Sequence, residues 1–299
     1  AKAVIHFAAH KAVAESIQNP LMYYQNNLFS LINTLKAQEE HGINHFVFSS
    51  SATVYGNPST VPITEDTTTQ RSFSPYGNSK KIAEEILEDF TNSQTETSVI
   101  SLRYFNPIGA HESGQIGELP TGIPNNLMPY ITQTAAGIRE KLMVFGNDYP
   151  TKDGTPIRDY IHVVDLAEAH LKALQRLLGP TTTKPLEVFN LGTGKGFSVL
   201  EIIKTFEAVS GIPLNYEITN RRPGDVPEMF ASTTLAKQVL NWEATRGLQE
   251  MIHDLYLFFA YVSFRLRLSN IFHQKHHQSQ HASHFPDHQN AHIRSIFVR

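Results

Sequence analysis

The sequence predicts an α/β fold that is built around a parallel sheet. Short apolar runs alternate with stretches of helical periodicity, so the chain from Val4 to Phe105 gives the order strand, helix, strand, helix, strand. Crossover connections of this kind are right-handed and place consecutive strands parallel to one another. Ligands of such sheets bind outside the carboxyl ends of the strands. Phe7, Ser51 and Asn106 fall at such ends, and we expect them to line one crevice.

The first part of the chain supplies three strands and two helices. Ala3–Ala9 is a short apolar run that predicts a buried parallel strand, and a loop is predicted over residues 11–16. Leu21–Glu40 carries apolar residues at helical spacing and predicts a helix, which His41 and Gly42 end. The next predicted elements are a strand over Phe46–Ser51, a helix over Tyr76–Asn92 and a strand over Val99–Phe105.

The pattern changes after Asn106. Prolines and glycines interrupt the chain as far as about Tyr160, which predicts a loop-rich second domain with one helix from Pro129 to Glu140. The later predicted elements are a helix over Val163–Leu178, a strand over Glu187–Gly192 that returns to the first sheet, a helix over Ser198–Ser210 capped by Gly211, a strand over Leu214–Thr219, and short helices over Thr233–Leu240 and Leu248–Asp254.

Composition narrows the class of protein. The chain has 299 residues, 40% of them hydrophobic, a net charge of -3 and no cysteine. Its mean hydropathy is -0.26. These values are typical of a globular protein with no nucleic-acid partner and no disulfide framework. No apolar run approaches the ~20 residues of a membrane helix, and no secretory signal is visible, so we expect a cytoplasmic protein with no membrane partner. The chain begins without Met inside a predicted strand, and we expect it to be a fragment.

The last part of the chain differs from the rest. Leu255–Val262 is an apolar run, and residues 273–292 contain seven of the fifteen histidines. A histidine-rich tract is able to bind metal, but its spacing fixes no ligand geometry. We therefore favour a disordered low-complexity tail and predict no metal site.

Tyr76 and Lys80 stand four residues apart at the start of a predicted helix, so their side chains lie on one face. A phenol ionises near pH ~10, and a nearby cation lowers that pKa. Together with Ser51 upstream, the pair predicts a general acid/base for a sugar or alcohol hydroxyl. The spacing alone also occurs by chance, and a solvated helix start is the alternative.

Eight strings of residues, in order along the chain, make the sequence similar to one enzyme family. The sequence resembles the UDP-glucose 4-epimerases (UDP-galactose 4-epimerases) of the extended short-chain dehydrogenase/reductase superfamily. The strings are Val4–Val13, Phe48–Gly56, Pro75–Lys80, Leu102–Pro107, Gly122–Pro129, Val144–Asp148, Arg158–Leu166 and Asn190–Gly194.

The resemblance implies an incomplete Rossmann-type doubly wound parallel sheet, with its first strands missing, and a smaller α/β substrate domain. Residues 1–105, joined by 161–195, correspond to the NAD-binding domain, whereas 106–160 and 196–254 correspond to the UDP-sugar domain. The chain departs from the family after residue 254, which assigns 255–299 to the tail. The family's Gly-rich dinucleotide turn is not found in this chain, and Gly192–Gly196 is predicted to be an ordinary turn.

The resemblance also implies roles for single residues. Tyr76 takes the proton of the sugar C4 hydroxyl, Ser51 binds the same oxygen, and Lys80 holds the nicotinamide ribose and lowers the pKa of Tyr76. The implied NAD-lining residues are Phe7, Ala8, Lys11, Asn27, Lys80 and Tyr104. The implied substrate-binding residues are Ser51, Ala52, Thr53, Asn106, Asn125, Asn126, Leu127, Met143, Val144, Phe145, Arg158, Arg222 and Asp225.

The reaction implied is reversible, NAD-dependent C4 epimerisation of UDP-glucose and UDP-galactose in galactose metabolism, through a transient 4-keto sugar. A homodimer is implied as well. Met229 stands where side-chain bulk governs entry of N-acetylated sugars, and we expect it to leave intermediate room. Two alternatives stay open. A sister nucleotide-sugar dehydratase would carry an Asp-Glu pair after Ser51, where this chain has Ala52 and Thr53. A non-catalytic nucleotide-sugar-binding remnant would keep the UDP contacts without NAD.

Overall fold

The computed structural model describes residues 1–93, 96–120, 124, 126–180, 185–222 and 225–262. The strands are β1 (Val4–His6), β2 (His45–Ser49), β3 (Ser98–Tyr104), β4 (Asn106–Ile108), β5 (Leu142–Phe145), β6 (Ile157–His162), β7 (Leu186–Leu191), β8 (Gly196–Ser198), β9 (Tyr216–Thr219) and β10 (Glu228–Met229). The helices are α1 (Val13–Gln18), α2 (Pro20–Glu40), α3 (Pro75–Ser93), α4 (Leu127–Ala135), α5 (Val163–Leu178), α6 (Val199–Ser210), α7 (Thr234–Leu240) and α8 (248–262).

The main sheet is parallel and has the strand order β1-β2-β3-β7. Side chains alternate across its two faces. Phe46 and Phe48 pack against α2 and α3, whereas Val47 packs with Ile100 against α5. The sheet is therefore doubly wound, as predicted, and the return of the strand after residue 185 to this sheet is confirmed.

Two smaller sheets carry the rest of the chain. Strand β6 pairs with β4 and β10 in parallel and with β8 in antiparallel orientation, and β5 pairs with β9. Their core includes Ile131 on α4, Phe206 on α6 and Met251 on α8, all fully buried. The sequence analysis did not predict β4, β5, β6, β8 or β10. All but β6 are two to four residues long, and a proline lies within β4 and directly before β6 and β10. The division into an NAD domain and a substrate domain stays a prediction.

Other elements differ from expectation. The predicted loop over residues 11–16 is mostly helix α1. Strand β1 is shorter than predicted and lies at the sheet edge, so only His6 in it is buried. Helix α8 continues past Asp254, and Leu255 and Phe258 are buried. The packed part of the chain therefore extends beyond residue 254, where the predicted tail begins, because a compact unit runs from Ala1 to Phe258.

A second unit begins at Phe259, and the structure describes it only as far as residue 262. The predicted histidine-rich tail from 263 onwards lies outside the described residues, and so does Asn125. Among the helices that are described, none is both long enough and apolar enough to cross a bilayer. The described side chains also form no cluster of three or more metal-ligating residues.

Candidate active site at the strand ends of the main sheet

Helix α3 begins directly beside the end of β2. Pro75 occupies the first turn, and the Ser74 hydroxyl accepts a hydrogen bond from the Gly77 N–H at 3.1 Å, which caps the helix. Position 77 has no room for a side chain, which explains the glycine there. A Cβ there would lie 2.2 Å from Ser72 Oγ and 3.0 Å from Thr53 Cβ. The glycine thus lets the first turn of α3 approach the residues that follow β2.

Ser51 and Tyr76 meet at this junction. Ser51 precedes a short 3-10 turn over Ala52–Tyr55, and its Oγ accepts hydrogen bonds from the Thr53 N–H at 3.2 Å and the Thr53 hydroxyl at 2.9 Å. Ser51 also lies beside the Tyr76 side chain, close enough to act on its pKa. Ser51 and Tyr76 are each 7% exposed. The structure thus brings together two of the three predicted catalytic residues.

Burial raises the pKa of Tyr76 well above its ordinary value. Tyr104 adds to this increase, while Ser51 opposes it. The sequence analysis expected Lys80 to lower this pKa, and that role stays a prediction. Among the described residues, desolvation of the phenolate dominates. A further positive charge at the site would favour the phenolate.

Lys80 lies one turn further along α3 and is 4% exposed. Its Nζ donates to the main-chain oxygen of Ser49 at 2.7 Å and lies 4.8 Å from the centre of the Phe48 ring. Burial lowers the pKa of Lys80 to about 8, and Glu84 opposes that shift. An ammonium has three donors. Within the described chain, Ser49 takes one of them, so the group fits two neighbouring ribose hydroxyls.

The predicted NAD-lining residues have unequal surroundings. Phe7 is 60% exposed beyond β1, next to the exposed Ala8, and its ring lies 4.7 Å from that of His170. Tyr104 is half-buried, and its hydroxyl lies 3.3 Å from the Ser49 hydroxyl. Phe7, Ser49 and Tyr104 therefore line the same edge of the sheet, where Lys80 points. This surface suits a planar ring and its ribose.

Asn27 and Lys11 have other partners. The Asn27 side chain accepts from the His10 N–H at 2.8 Å and donates to the His10 carbonyl at 3.1 Å and to Ser79 Oγ at 3.0 Å. It thereby joins the loop after β1 to α2 and α3. Lys11 is exposed and pairs with Glu118 at 3.0 Å. A role in cofactor binding stays a prediction for both residues.

The predicted sugar contacts are spread over the two smaller sheets. Asn106 is exposed at the start of β4, directly after the Phe105 that packs with Ala52. Asn126 is the exposed residue before α4, and Leu127 is half-buried. Met143, Val144 and Phe145 form β5, with Val144 in the core and the other two half-buried. Substrate binding by these three residues, which the resemblance implies, stays a prediction.

Arg158, Arg222 and Asp225 form one cluster. Asp225 Oδ2 accepts from Arg222 Nε at 2.9 Å, and Asp225 Oδ1 lies 3.6 Å from Arg158 Nη2. Arg158 Nη1 is held by the main-chain oxygens of Ile157 and Val226, and the Arg222 guanidinium lies 5.0 Å from the Phe145 ring centre. Two guanidinium groups face one carboxylate. The surplus positive charge suits a diphosphate.

The predicted turn at Gly192–Gly196 agrees with the structure. Asp159 is fully buried and accepts from the Thr193 N–H at 2.8 Å and the Gly194 N–H at 3.2 Å. A Cβ on Gly192 would lie 2.3 Å from Asp159 Oδ2. Because Asp159 occupies these amides, the turn does not offer them to a phosphate.

Sequence analysis missed a buried polar network beneath the predicted catalytic residues. Glu84 and Arg103 form a bidentate ion pair, in which Arg103 Nη2 lies 2.7 Å from Glu84 Oε2. Arg103 Nη1 donates to Tyr55 Oη at 3.0 Å. Tyr55 Oη in turn donates to Asn190 Oδ1 at 2.6 Å. One signal was visible in the sequence: Glu84 follows Lys80 by four residues, so Tyr76, Lys80 and Glu84 share one helix face.

Comparison with known proteins identifies the family. The family model described as GDP-mannose 4,6 dehydratase matches residues 1–255. UDP-glucose 4-epimerase of Bacillus subtilis is 56% identical over 253 residues, which cover 85% of this chain and 74% of that protein. The chain belongs to the UDP-glucose 4-epimerase family. The mouse UDP-glucose 4-epimerase is 51% identical over 255 residues, covering 85% and 73% of the two chains.

Solved structures of this family share the fold. UDP-glucose 4-epimerase of Stenotrophomonas maltophila, with bound NAD and formylated UDP-arabinopyranose, aligns with a TM-score of 0.85 and 45% identity over 88% of this chain and 77% of that one. The enzyme of Bifidobacterium longum, in complex with NAD+ and UDP, gives a TM-score of 0.82 and 45% identity over 87% and 76%. The resemblance and the α/β fold class predicted from sequence are therefore confirmed.

Proposed function

We propose that this chain catalyses reversible, NAD-dependent C4 epimerisation of UDP-glucose and UDP-galactose. The observation that carries the proposal is the junction of Ser51, Tyr76 and Lys80, where a buried hydroxyl pair lies one helical turn from a buried ammonium. This set holds and moves one proton at a sugar hydroxyl. The family's epimerases crystallised with NAD support the choice of cofactor.

The roles of the residues follow from their surroundings. Tyr76 takes the proton of the C4 hydroxyl, and Ser51 holds the same oxygen. Lys80, anchored by the Ser49 carbonyl, holds the nicotinamide ribose with its remaining donors. Bound NAD+ supplies the hydride acceptor for C4 and a positive charge that favours the Tyr76 phenolate. Tyr76 returns the proton when the hydride returns to the other face of the sugar.

Inversion at C4 requires a firmly held UDP and a sugar that turns. Arg158 and Arg222 are the diphosphate ligands in this proposal, with Asp225 orienting both. Arg158 is already fixed by two main-chain oxygens, so little side-chain entropy is lost on binding. Binding energy then resides on the part of the substrate that does not react. Asn106, Asn126 and Leu127 complete the proposed sugar site together with Asn125.

The two alternatives differ from this proposal in chemistry. A dehydratase needs an acid and a base beside the sugar C5 and C6, yet Ala52 and Thr53 occupy the positions after Ser51. A non-catalytic remnant would bind UDP-sugars through Arg158 and Arg222 and retain no NAD.

We further propose that the chain forms a homodimer through the outer face of α2. Leu21 is 81% exposed and Phe29 is 58% exposed on this helix, and Met22 and Phe29 line a groove of about 470 Å³ together with His10. Exposed apolar patches mark contact surfaces, and an isologous pair covers such a patch on both copies. Phe29→Arg should reduce the mass measured by light scattering to that of a monomer, whereas Leu171→Arg on α5, also at an exposed leucine, should not.

We also propose a cytoplasmic location. The chain contains no cysteine, which suits a reducing compartment. Fractionation of cells that express the tagged chain tests this directly. Recovery with a cytoplasmic marker is expected, and recovery with membranes would contradict the proposal.

The proposed reaction is tested by incubating the purified chain with UDP-galactose. We expect UDP-glucose as the product and NAD among the small molecules released when the protein is denatured. A 4-keto-6-deoxy product would identify a dehydratase instead. Tight UDP binding without NAD and without conversion, also when NAD is added, would identify the remnant.

A further inference from the structure

Glu84 is a buried carboxylate that the proposed mechanism does not use. It lies one turn beyond Lys80 on α3 and is 8% exposed. Burial of a carboxylate is unfavourable unless charges and hydrogen bonds compensate it. The partners of Glu84 therefore indicate what the charge is for.

Both oxygens of Glu84 are fully engaged. Oε1 accepts from the Ser50 hydroxyl at 2.6 Å and the Ser101 hydroxyl at 2.8 Å, while Arg103 Nε lies 3.1 Å from each oxygen. Arg103 Nη2 completes the pair at 2.7 Å from Oε2. Ser50 and Ser101 are fully buried. The carboxylate is thus the common acceptor for groups on β2 and β3.

Ser50 connects this carboxylate to the proposed catalytic residues. It stands between Ser49, whose carbonyl holds Lys80, and Ser51, which lies beside Tyr76. Helix α3 therefore contacts the end of β2 at three successive turns, through Tyr76, Lys80 and Glu84. Removing the last contact frees the strand end that positions the other two.

The negative charge of Glu84 also supports Lys80, because it favours the charged ammonium form. The ionisable groups around this corner are His6 on β1, Tyr76 and Glu84 on α3, and Arg103 and Tyr104 on β3. Tyr55 and Glu65 also face Arg103, whereas Glu84 is the carboxylate whose charge acts on Lys80. Without Glu84, Arg103 would lose its bidentate partner and Lys80 would lose the neighbouring negative charge that favours its ammonium form.

We propose that Glu84 is a positioning residue that holds the Ser49–Ser51 strand end against α3 and keeps Lys80 charged. The inference rests on the proposed function of Tyr76 and Lys80. It adds a third member to their helix face, one that acts through Ser50 and Lys80 and does not touch the substrate.

The charge is tested by a titration that needs neither cofactor nor activity. Lysine labelled with carbon-13 at Cε reports the ionisation of Lys80 by NMR, with Lys80→Met used to assign the signal. In Glu84→Gln the midpoint of Lys80 should move to lower pH by about one pH unit. The matched control is Glu187→Gln, which breaks a similarly buried pair, with Arg176 at 2.6 Å, on the other face of the sheet. An unchanged Lys80 midpoint in Glu84→Gln, or an equal change in the control, would overturn the proposal.

The second test concerns the hydrogen bond from Ser50 to Glu84, which ties the strand end to α3 and is called the tether below. It uses two serine variants, which remain informative if Glu84→Gln does not fold. Ser50→Ala and Ser101→Ala each remove one hydroxyl from Glu84 Oε1, but only Ser50 adjoins Ser51. We expect Ser50→Ala to lower kcat about tenfold with an unchanged KM, and Ser101→Ala to stay near wild type. Equal kcat values for the two variants would refute the tether. A wild-type chain without NAD and without turnover would count against the proposed function, while the titration would still decide the role of Glu84.

Discussion

The Lys80 ammonium donates to the main-chain oxygen of Ser49 at 2.7 Å, so a buried cation is fixed at the end of β2 by the residue two positions before Ser51. This contact fixes the direction of Lys80 before any ligand binds. Burial raises the pKa of Tyr76 at the same corner. In the proposed mechanism, the positive charge of bound NAD+ would favour the phenolate.

Replacement of Tyr76 by phenylalanine removes the proposed proton acceptor. We expect Tyr76→Phe to lower kcat by about two to four orders of magnitude, because general base catalysis is lost, and to leave UDP affinity near wild type. Tyr24→Phe is the matched control, since its hydroxyl bonds only Asn78 between α2 and α3. Coupled assay of UDP-glucose formation measures both variants. Activity of Tyr76→Phe close to that of Tyr24→Phe would exclude Tyr76 as the base.

The rate of epimerisation should depend on the charge of Lys80. Its pKa of about 8 lies below the ordinary 10.5 because burial disfavours the ammonium. The ammonium is present below that pKa and is lost as pH rises through it, so kcat should fall on the alkaline side. Lys80→Met should be nearly inactive at every pH, whereas Lys81→Met, at a half-buried lysine paired with Glu85, should keep the wild-type profile. A wild-type kcat that stays level through alkaline pH would contradict this assignment.

His6 should make the fold sensitive to acid. Its ring stacks on Phe46 and Phe48, and burial followed by the charge of Lys80 lowers its pKa from 6.5 to about 4. The unfolded chain binds this proton at higher pH than the native chain, so stability is complete above 6.5 and is lost as pH falls towards 4. Relative to His6→Phe, the wild-type free energy of unfolding should drop by roughly 3 kcal/mol across that interval. Urea titrations of the two proteins that keep a constant difference would show that His6 is not the cause.

Arg222 should contribute to substrate affinity more than to turnover. Arg222→Met removes a proposed diphosphate ligand and should raise the KM for UDP-galactose by about tenfold or more, since charge-assisted hydrogen bonds are the strong ones. Its control is Arg139→Met, because Arg139 also lies over an aromatic ring, at 4.5 Å from the centre of Tyr130. If both variants bind UDP-galactose like the wild type, Arg222 is ordinary surface charge.

Met229 should limit the size of the sugar that enters. The residue is half-buried on β10 beside Arg158 and packs on the cluster that contains Ala52, the neighbour of Ser51. Met229→Gly should increase kcat/KM for UDP-GalNAc relative to UDP-galactose, and Met229→Tyr should decrease it. A wild-type protein that turns over the two substrates equally would show that the pocket is not restrictive.

Much of the main sheet was predictable because its elements are regular. Helix α5 has the predicted bounds, α2 begins one residue earlier than predicted, and α3 extends one residue further at each end. Each of these helices carries apolar residues at helical spacing. Strands β4 and β10 were not predicted because they are short and gain their stability from pairing, and β6 was not predicted because it follows Pro156 in a stretch rich in proline and glycine. Helix α1 was missed because it spans only six residues.

The site was predictable where roles follow from local spacing. Tyr76 and Lys80 were found from a four-residue interval, and the structure places Ser51 against Tyr76 as expected. Glu84 and Arg103 were missed because their pairing joins α3 to β3 across 19 positions of sequence. The desolvation of Tyr76 was not foreseen for a related reason, since burial depends on tertiary packing, which spacing does not reveal.

The most direct test of the central claim uses UDP-galactose that carries deuterium at C4. The purified chain is incubated with it in ordinary water, and the label in the UDP-glucose product is measured by mass spectrometry and NMR. We predict conversion with the deuterium retained at C4, because the hydride leaves and returns within one site while Tyr76 exchanges only a hydroxyl proton. Loss of the label to water, or an absence of conversion by folded protein supplied with NAD, would contradict the account.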